Sequence, residues 1–110
     1  MSCRLELRKD REARFFFTLR AEDGTELLVG TPSYNRSHAR RHAAEVASCL
    51  VNDRLVTRYE AHGEHYFVLQ NDREELVARS RHMKGPLALQ ELLDEAKRSA
   101  PHAELVDSTR

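Results

Sequence analysis

Phe16-Phe17-Thr18-Leu19-Arg20 returns as Tyr66-Phe67-Val68-Leu69-Gln70, 50 positions later, and Glu26-Leu27-Leu28 returns as Glu75-Leu76-Val77, 49 positions later. In a chain of 110 residues this leaves room for two small α/β units. Neither unit can bury its apolar face alone, so the two must share one core. A chain of this length hides roughly 60–70% of its unfolded surface, enough for one modest core.

The local patterns fill in the units. Cys3, Leu5 and Leu7 alternate with Arg4, Glu6 and Arg8, the mark of a half-buried strand. After the charged turn Lys9-Asp10-Arg11-Glu12, Phe15, Phe17 and Leu19 alternate with Arg14, Phe16 and Thr18 as a second strand. Asp23-Gly24 is a hairpin signal, because glycine accepts positive φ at little cost. Leu27 and Val29 carry the third strand, which Pro32 ends. Asn35 or Ser37 caps a helix whose apolar stripe is Ala39, His42, Ala43, Val46, Ala47 and Leu50.

Residues 54–61 alternate again, and His62-Gly63-Glu64 is a second hairpin position. Phe67 and Leu69 repeat the inward face of Phe17 and Leu19, followed by the turn Asn71-Asp72-Arg73-Glu74 and by Leu76 and Ala78. Gly85-Pro86 opens a helix with the stripe Leu89, Leu92, Leu93 and Ala96. Ala103 and Leu105 suggest a last strand. The order is β-β-β-α, then β-β-β-α-β. Hairpins make the pairing mostly antiparallel, and the class is α+β, with both helices on one face of the sheet.

Phe17-Thr18-Leu19-Arg20-Ala21-Glu22-Asp23-Gly24-Thr25-Glu26-Leu27-Leu28, followed by Tyr34 and a helix from Ser37, resembles the YegP-like family of small bacterial proteins. The family pattern is a repeated Phe-x-Leu-Lys-Ala-x-Asn-Gly-Glu-x-Ile-Leu, then a tyrosine and a short helix. The resemblance spans roughly residues 3–107. In the second copy the turn lacks glycine, Met83 stands where the tyrosine would be, and the helix is leucine-rich. The resemblance implies tandem β-β-β-α-β repeats, about 3–61 and 54–107, within a single domain over 1–110. They would share the strand 54–61 and exchange their C-terminal strands. It also implies a cytoplasmic bacterial protein, and it brings no catalytic residues with it.

Composition narrows the function classes. The 18 basic and 18 acidic side chains cancel, which argues against dominant attraction to nucleic acid or membrane. No apolar run reaches the ~18 residues of a membrane span, so no membrane partner is expected. Met1-Ser2-Cys3-Arg4 leads into charged alternation, not an apolar signal segment. Cys3 and Cys49 therefore read as free thiols in a reducing cytoplasm.

Catalysis finds little footing. Cys49 lies in an apolar stripe, Ser33, Ser37 and Ser80 lack an adjacent acid–base partner, and Glu74-Glu75 reads as a solvated pair. With four glycines no phosphate-cradling loop is present, and no cofactor is implied. His38 and His42, at i and i+4 on one helix, are a candidate metal pair, with Glu45 able to reach the same side. His62-Gly63-Glu64-His65 reads as a charged turn.

The face of the sheet opposite the helices presents Arg14, Phe16, Arg20 and Tyr66 as a candidate binding surface. The leading expectation is a small non-enzymatic protein that works by association, as a homodimer or with a protein partner, through that face or an edge strand. The alternative is RNA or single-stranded nucleic acid stacked on the same face, and a weaker one is metal at the histidine pair.

Overall fold

Alternation of apolar and charged residues draws the N-terminal part of the chain into strands. In the computed structural model, which describes residues 3–109, these are β1 (Arg4–Lys9), β2 (Phe15–Arg20) and β3 (Glu26–Gly30). Helix α1 (Arg36–Leu50) follows, then β4 (Val56–Ala61), β5 (Glu64–Gln70), β6 (Leu76–Ser80), helix α2 (Pro86–Ser99) and β7 (Glu104–Asp107). The strands form one sheet in the order β4-β5-β6-β3-β2-β1-β7. Every neighbouring pair is antiparallel except β1 with β7, which run parallel. The expected α+β class and mostly antiparallel sheet are found.

Turn chemistry follows the residues available. Gly24 closes the β2–β3 turn at φ 88°, and Glu74 takes the corresponding left-handed position in the β5–β6 turn at φ 62°. The missing glycine is thus replaced by a strained residue, at a cost of about 1 kcal/mol. Helix α1 is capped by Asn35, whose side chain accepts the His38 N–H at 3.2 Å, and not by Ser37. Helix α2 has no side-chain cap and relies on Pro86 in its first turn.

The registers of the two inner hairpins match residue for residue. Thr18 pairs Val29 as Val68 pairs Arg79, Leu19 pairs Leu28 as Leu69 pairs Ala78, and Arg20 pairs Glu26 as Gln70 pairs Leu76. Leu76 therefore corresponds to Glu26, so the 49-residue spacing read from Glu26 and Glu75 is one residue out. Both ladders bulge after the leucine, between Leu19 and Arg20 and between Leu69 and Gln70. A bulge sets two residues against one and breaks the alternation. Leu27 and Leu28 are both buried as a result, as are Val77 and Ala78. Val29 is only half-buried and Leu76 is 43% exposed, so the i, i+2 pairs Leu27/Val29 and Leu76/Ala78 do not share a buried face.

The buried residues form one cluster drawn from both halves. Leu5, Leu7, Phe17, Leu19, Phe67 and Leu69 from the sheet meet Ala39, Ala43, Val46 and Leu50 of α1 and Leu89, Leu92, Leu93 and Ala96 of α2. The halves join where β3 pairs β6, with Leu28 opposite Ser80, Val29 opposite Arg79 and Gly30 opposite Ala78. Gly30 is needed there, because the Phe17 ring lies across its backbone where a Cβ would stand. Ser80 holds the matching place in the second half, accepting the Phe67 N–H and donating to the Arg81 carbonyl, each at 2.9 Å. At the far edge, Arg36 at the start of α1 is paired with Asp107 and donates to Thr109 at 3.0 Å, which ties the end of β7 to the helix.

Gly30→Ala forces the Phe17 ring out of its place in the core. Overpacking of this kind costs about 1–3 kcal/mol. Urea unfolding should show a lower midpoint with an unchanged slope, and an unchanged midpoint would mean the ring is not held as described.

Candidate functional site

The open face does not assemble the surface expected from the sequence. Thr18, Val29, Arg79 and Val68 form one row across β2, β3, β6 and β5. Phe16 and Tyr66 each lie two residues before that row, but β2 and β5 run in opposite directions. With strands ~4.8 Å apart and a rise of ~3.3 Å per residue, the two rings are about 20 Å apart. Arg14 is held by Asp10 at 2.9 Å and Glu12 at 3.3 Å. Arg20 donates to the Gly24 carbonyl at 3.1 Å and faces Glu26 at 3.9 Å. The four residues are therefore not one patch, and both guanidiniums already have anionic partners. The stacking platform proposed for RNA or single-stranded nucleic acid is not assembled by these residues.

Tyr66 belongs to a different arrangement. It stacks on Tyr59 of β4 at 5.3 Å and on His82 at 4.6 Å, a three-ring ladder on the open face. Neither Tyr59 nor His82 stands out as a site residue from local pattern alone. The His62-Gly63 turn, with φ of 54° and 79°, was the available signal, since a two-residue hairpin sets Tyr59 opposite Tyr66. The ladder lies beside the outer edge of β4, which has no partner strand among the described residues.

The second grouping joins α1 to the β5–β6 turn. His38 and His42 stand one turn apart with ring centroids 4.3 Å apart. Glu75 reaches across to them, 3.5 Å from His38 Nε2 and 3.7 Å from His42 Nε2. The ligand atoms of the three side chains all lie within 4.8 Å of one another. Asn71 Nδ2 donates to Glu75 at 2.8 Å, and Arg41 and Arg73 approach the same carboxylate at 3.4 and 3.3 Å. The Asn71 hydrogen bond, followed by the two guanidiniums and His38, outweighs partial burial and pulls the Glu75 carboxyl down to about 2. Glu75 is thus not the solvated residue expected from the pair Glu74-Glu75. Glu45, which its spacing places on the same side of α1, faces Asn71 and Arg73.

His42 is the unusual member. It is 2% exposed, and neither ring nitrogen has a hydrogen-bond partner among the described residues. Burial above all, with His38 beside it, lowers its pKa, against opposing pulls from Glu45 and Glu75. The corresponding position in the other half, 50 residues on, is Leu92, which fills the same place in the core without a polar atom. Two imidazoles and a carboxylate offer nitrogen and oxygen donors at one point. Cys49, by contrast, is buried with its thiol pKa raised by that burial, which blunts it as a nucleophile.

Two solved structures share this architecture. One is the solution NMR structure of YegP from E. coli, a protein of unknown function, with TM-score 0.92 and 21% identity over 99% of this chain and 95% of that one. The other is the solution NMR structure of a UPF0339 protein from Shewanella oneidensis, with TM-score 0.91 and 20% identity over 99% and 93%. The chain has the fold of YegP, as the sequence resemblance implied. No family model and no curated protein matches the chain. No helix among the described residues is long and apolar enough to cross a membrane.

The cluster makes folding pH-dependent in two steps. His42 has a folded pKa below the ordinary 6.5, so it exacts no titration penalty above that value and lowers stability progressively as pH drops below it. Glu75 has a folded pKa near 2 against an ordinary 4.5, so its contribution is lost between those values on further acidification. His42→Leu should remove the first step and raise stability at neutral pH by about 1 kcal/mol or more, since a buried unpaired polar group is removed. Glu75→Gln should remove the second. Chemical denaturation across pH 2–8 checks both, and an unchanged slope near pH 6 in His42→Leu would contradict the assignment.

Proposed function

We propose that this chain is a non-enzymatic protein that works by association, and that β4 is the interface, pairing antiparallel with β4 of a second copy. The observation that carries this reading is an edge strand without a partner strand among the described residues, whose sequence is self-complementary in one register. The two-residue turn at His62-Gly63 makes Ala61 and Glu64 the closing pair, so Ala61, Tyr59 and Thr57 bond inward to β5. The backbone groups of Val56, Arg58 and Glu60 then point outward. A pairing centred on Tyr59 sets Arg58 of one copy opposite Glu60 of the other, twice by symmetry. Centring on Arg58 or Glu60 would put like charges together.

The same register brings the two Tyr59 rings side by side on the open face. The Tyr59–Tyr66–His82 ladders of both copies would then meet. Edge strands are usually guarded by proline, charged side chains or shortness. β4 has six residues and no proline, and its two charges, Arg58 and Glu60, are opposite in sign and complement each other across the proposed pairing, whereas the opposite edge, β7, has four residues. A single strand pair buries little area, so the dimer is weak, in the micromolar range or above.

This reading also treats the chain as one domain of two β-β-β-α-β repeats with exchanged C-terminal strands. β4 follows α1 but pairs into the second half, and β7 follows α2 but pairs with β1 of the first. One β7 cannot serve both halves, which is why β4 keeps a bare edge.

Analytical ultracentrifugation over a wide concentration range tests the interface. Arg58→Glu and Glu60→Arg should each weaken the dimer about tenfold or more, because both symmetric pairs become repulsive. An equimolar mixture of the two single variants should associate again, since opposite charges then face each other. A wild-type protein that stays monomeric at every concentration, or single variants that associate unchanged, would contradict the proposal.

A further inference from the structure

The geometry points to His38, His42 and Glu75 as a three-ligand site for a divalent transition-metal ion of the zinc class, a function independent of the β4 interface. Imidazole nitrogen with carboxylate oxygen is a donor set for first-row transition metals and not for magnesium or calcium. Bonds of ~2.0–2.1 Å in tetrahedral geometry place neighbouring ligand atoms about 3.3 Å apart. His38 Nε2 lies 3.5 Å from Glu75 Oε2 and His42 Nε2 lies 3.7 Å from Oε1, so each imidazole faces its own oxygen of the carboxylate at near that spacing. All three side chains offer a ligand atom within 4.8 Å of the others, so closure around one ion needs a contraction of at most ~1.5 Å.

Three further observations favour a bound ion over a merely structural cluster. His38 Nδ1 is 3.2 Å from Ser33 Oγ, which can accept that N–H and leave Nε2 with its lone pair toward Glu75. Such an outer partner is the usual way a metal-binding imidazole is oriented. His42 is buried with both nitrogens unpartnered among the described residues, and a ligated ion would satisfy Nε2, the one that faces Glu75. Finally, the other half of the fold shows what the positions hold without a ligand role. Ala88, Leu92 and Thr25 stand where His38, His42 and Glu75 stand, 50 residues away. The donors therefore occur at only one of the two matching junctions between a helix and the inner-hairpin turn packed against it.

Arg41 and Arg73 compete with the ion for Glu75. Both side chains are largely exposed and free to swing away, so they weaken binding without blocking it. His38 and Glu75 are each about one-third exposed, which leaves the fourth position open to water. Catalytic zinc sites keep such an opening, whereas structural ones are closed.

Calorimetric titration of the untagged full chain with zinc, repeated with cobalt, tests the site. One ion should bind per chain, with micromolar affinity. His38→Ala and Glu75→Gln should each weaken it tenfold or more, and His42→Leu should abolish saturation while the fold remains intact by circular dichroism. Arg41→Gln should tighten binding severalfold, a gain that a nonspecific surface histidine site would not show. Ring nitrogen NMR signals of His38 and His42 should shift with zinc, while those of His62, His65, His82 and His102 stay put. Absence of binding below millimolar zinc, or binding that His38→Ala and His42→Leu leave unchanged, would overturn the assignment.

Discussion

The pairing of β3 with β6 is the contact on which the rest depends. Three residue pairs, Leu28–Ser80, Val29–Arg79 and Gly30–Ala78, join a three-strand and a four-strand sheet into one continuous surface. Each half alone presents a sheet too narrow to cover its own helix. Joined, they bury Phe17, Phe67, Leu19 and Leu69 in a single cluster under α1 and α2. Burial of each such side chain contributes roughly 1.5–3 kcal/mol, and little of it is available to a half without its neighbour. The close approach of the Phe17 ring to Gly30 lies at this seam, so the core and the joint are tuned together.

A frame this repetitive also shows where it departs from itself. The registers of the inner hairpins match at 50 residues, and the buried faces of the helices do too. Two departures stand out against that background. One is topological, since a single β7 closes the β1 edge and leaves β4 bare. The other is chemical, since a buried histidine stands where the other half has Leu92. The proposed interface and the proposed metal site sit at these two departures. Neither feature adds to the stability of the fold, and His42 detracts from it. Residues that lower stability in a marginally stable chain are expected at functional positions.

Much of the frame was legible in the sequence because it is written in local terms. Alternation marked the strands, the 3.6-residue stripe marked both helices, and Asp23-Gly24 and His62-Gly63 marked turns. The bulges were not legible. They depend on how two strands seat against a shared core, and they moved Val77 inward and Leu76 outward against simple alternation. The histidine pair was legible as a spacing on α1. Its carboxylate was not, because Glu75 comes from the other half and is held there by Asn71, Arg41 and Arg73. The open-face patch failed for a related reason. Arg14, Phe16, Arg20 and Tyr66 share a face by periodicity, but strand direction sets Phe16 and Tyr66 at opposite ends of the sheet.

Amide hydrogen exchange, followed residue by residue at low and high protein concentration, tests the account most directly. The amides of β3 and β6 should exchange only through global unfolding and with one common free energy, because the halves cannot open separately. The outward amides of Arg58 and Glu60 should exchange quickly in dilute protein and become protected as concentration rises. Separate opening energies for the two halves, or β4 amides whose exchange ignores concentration, would contradict it.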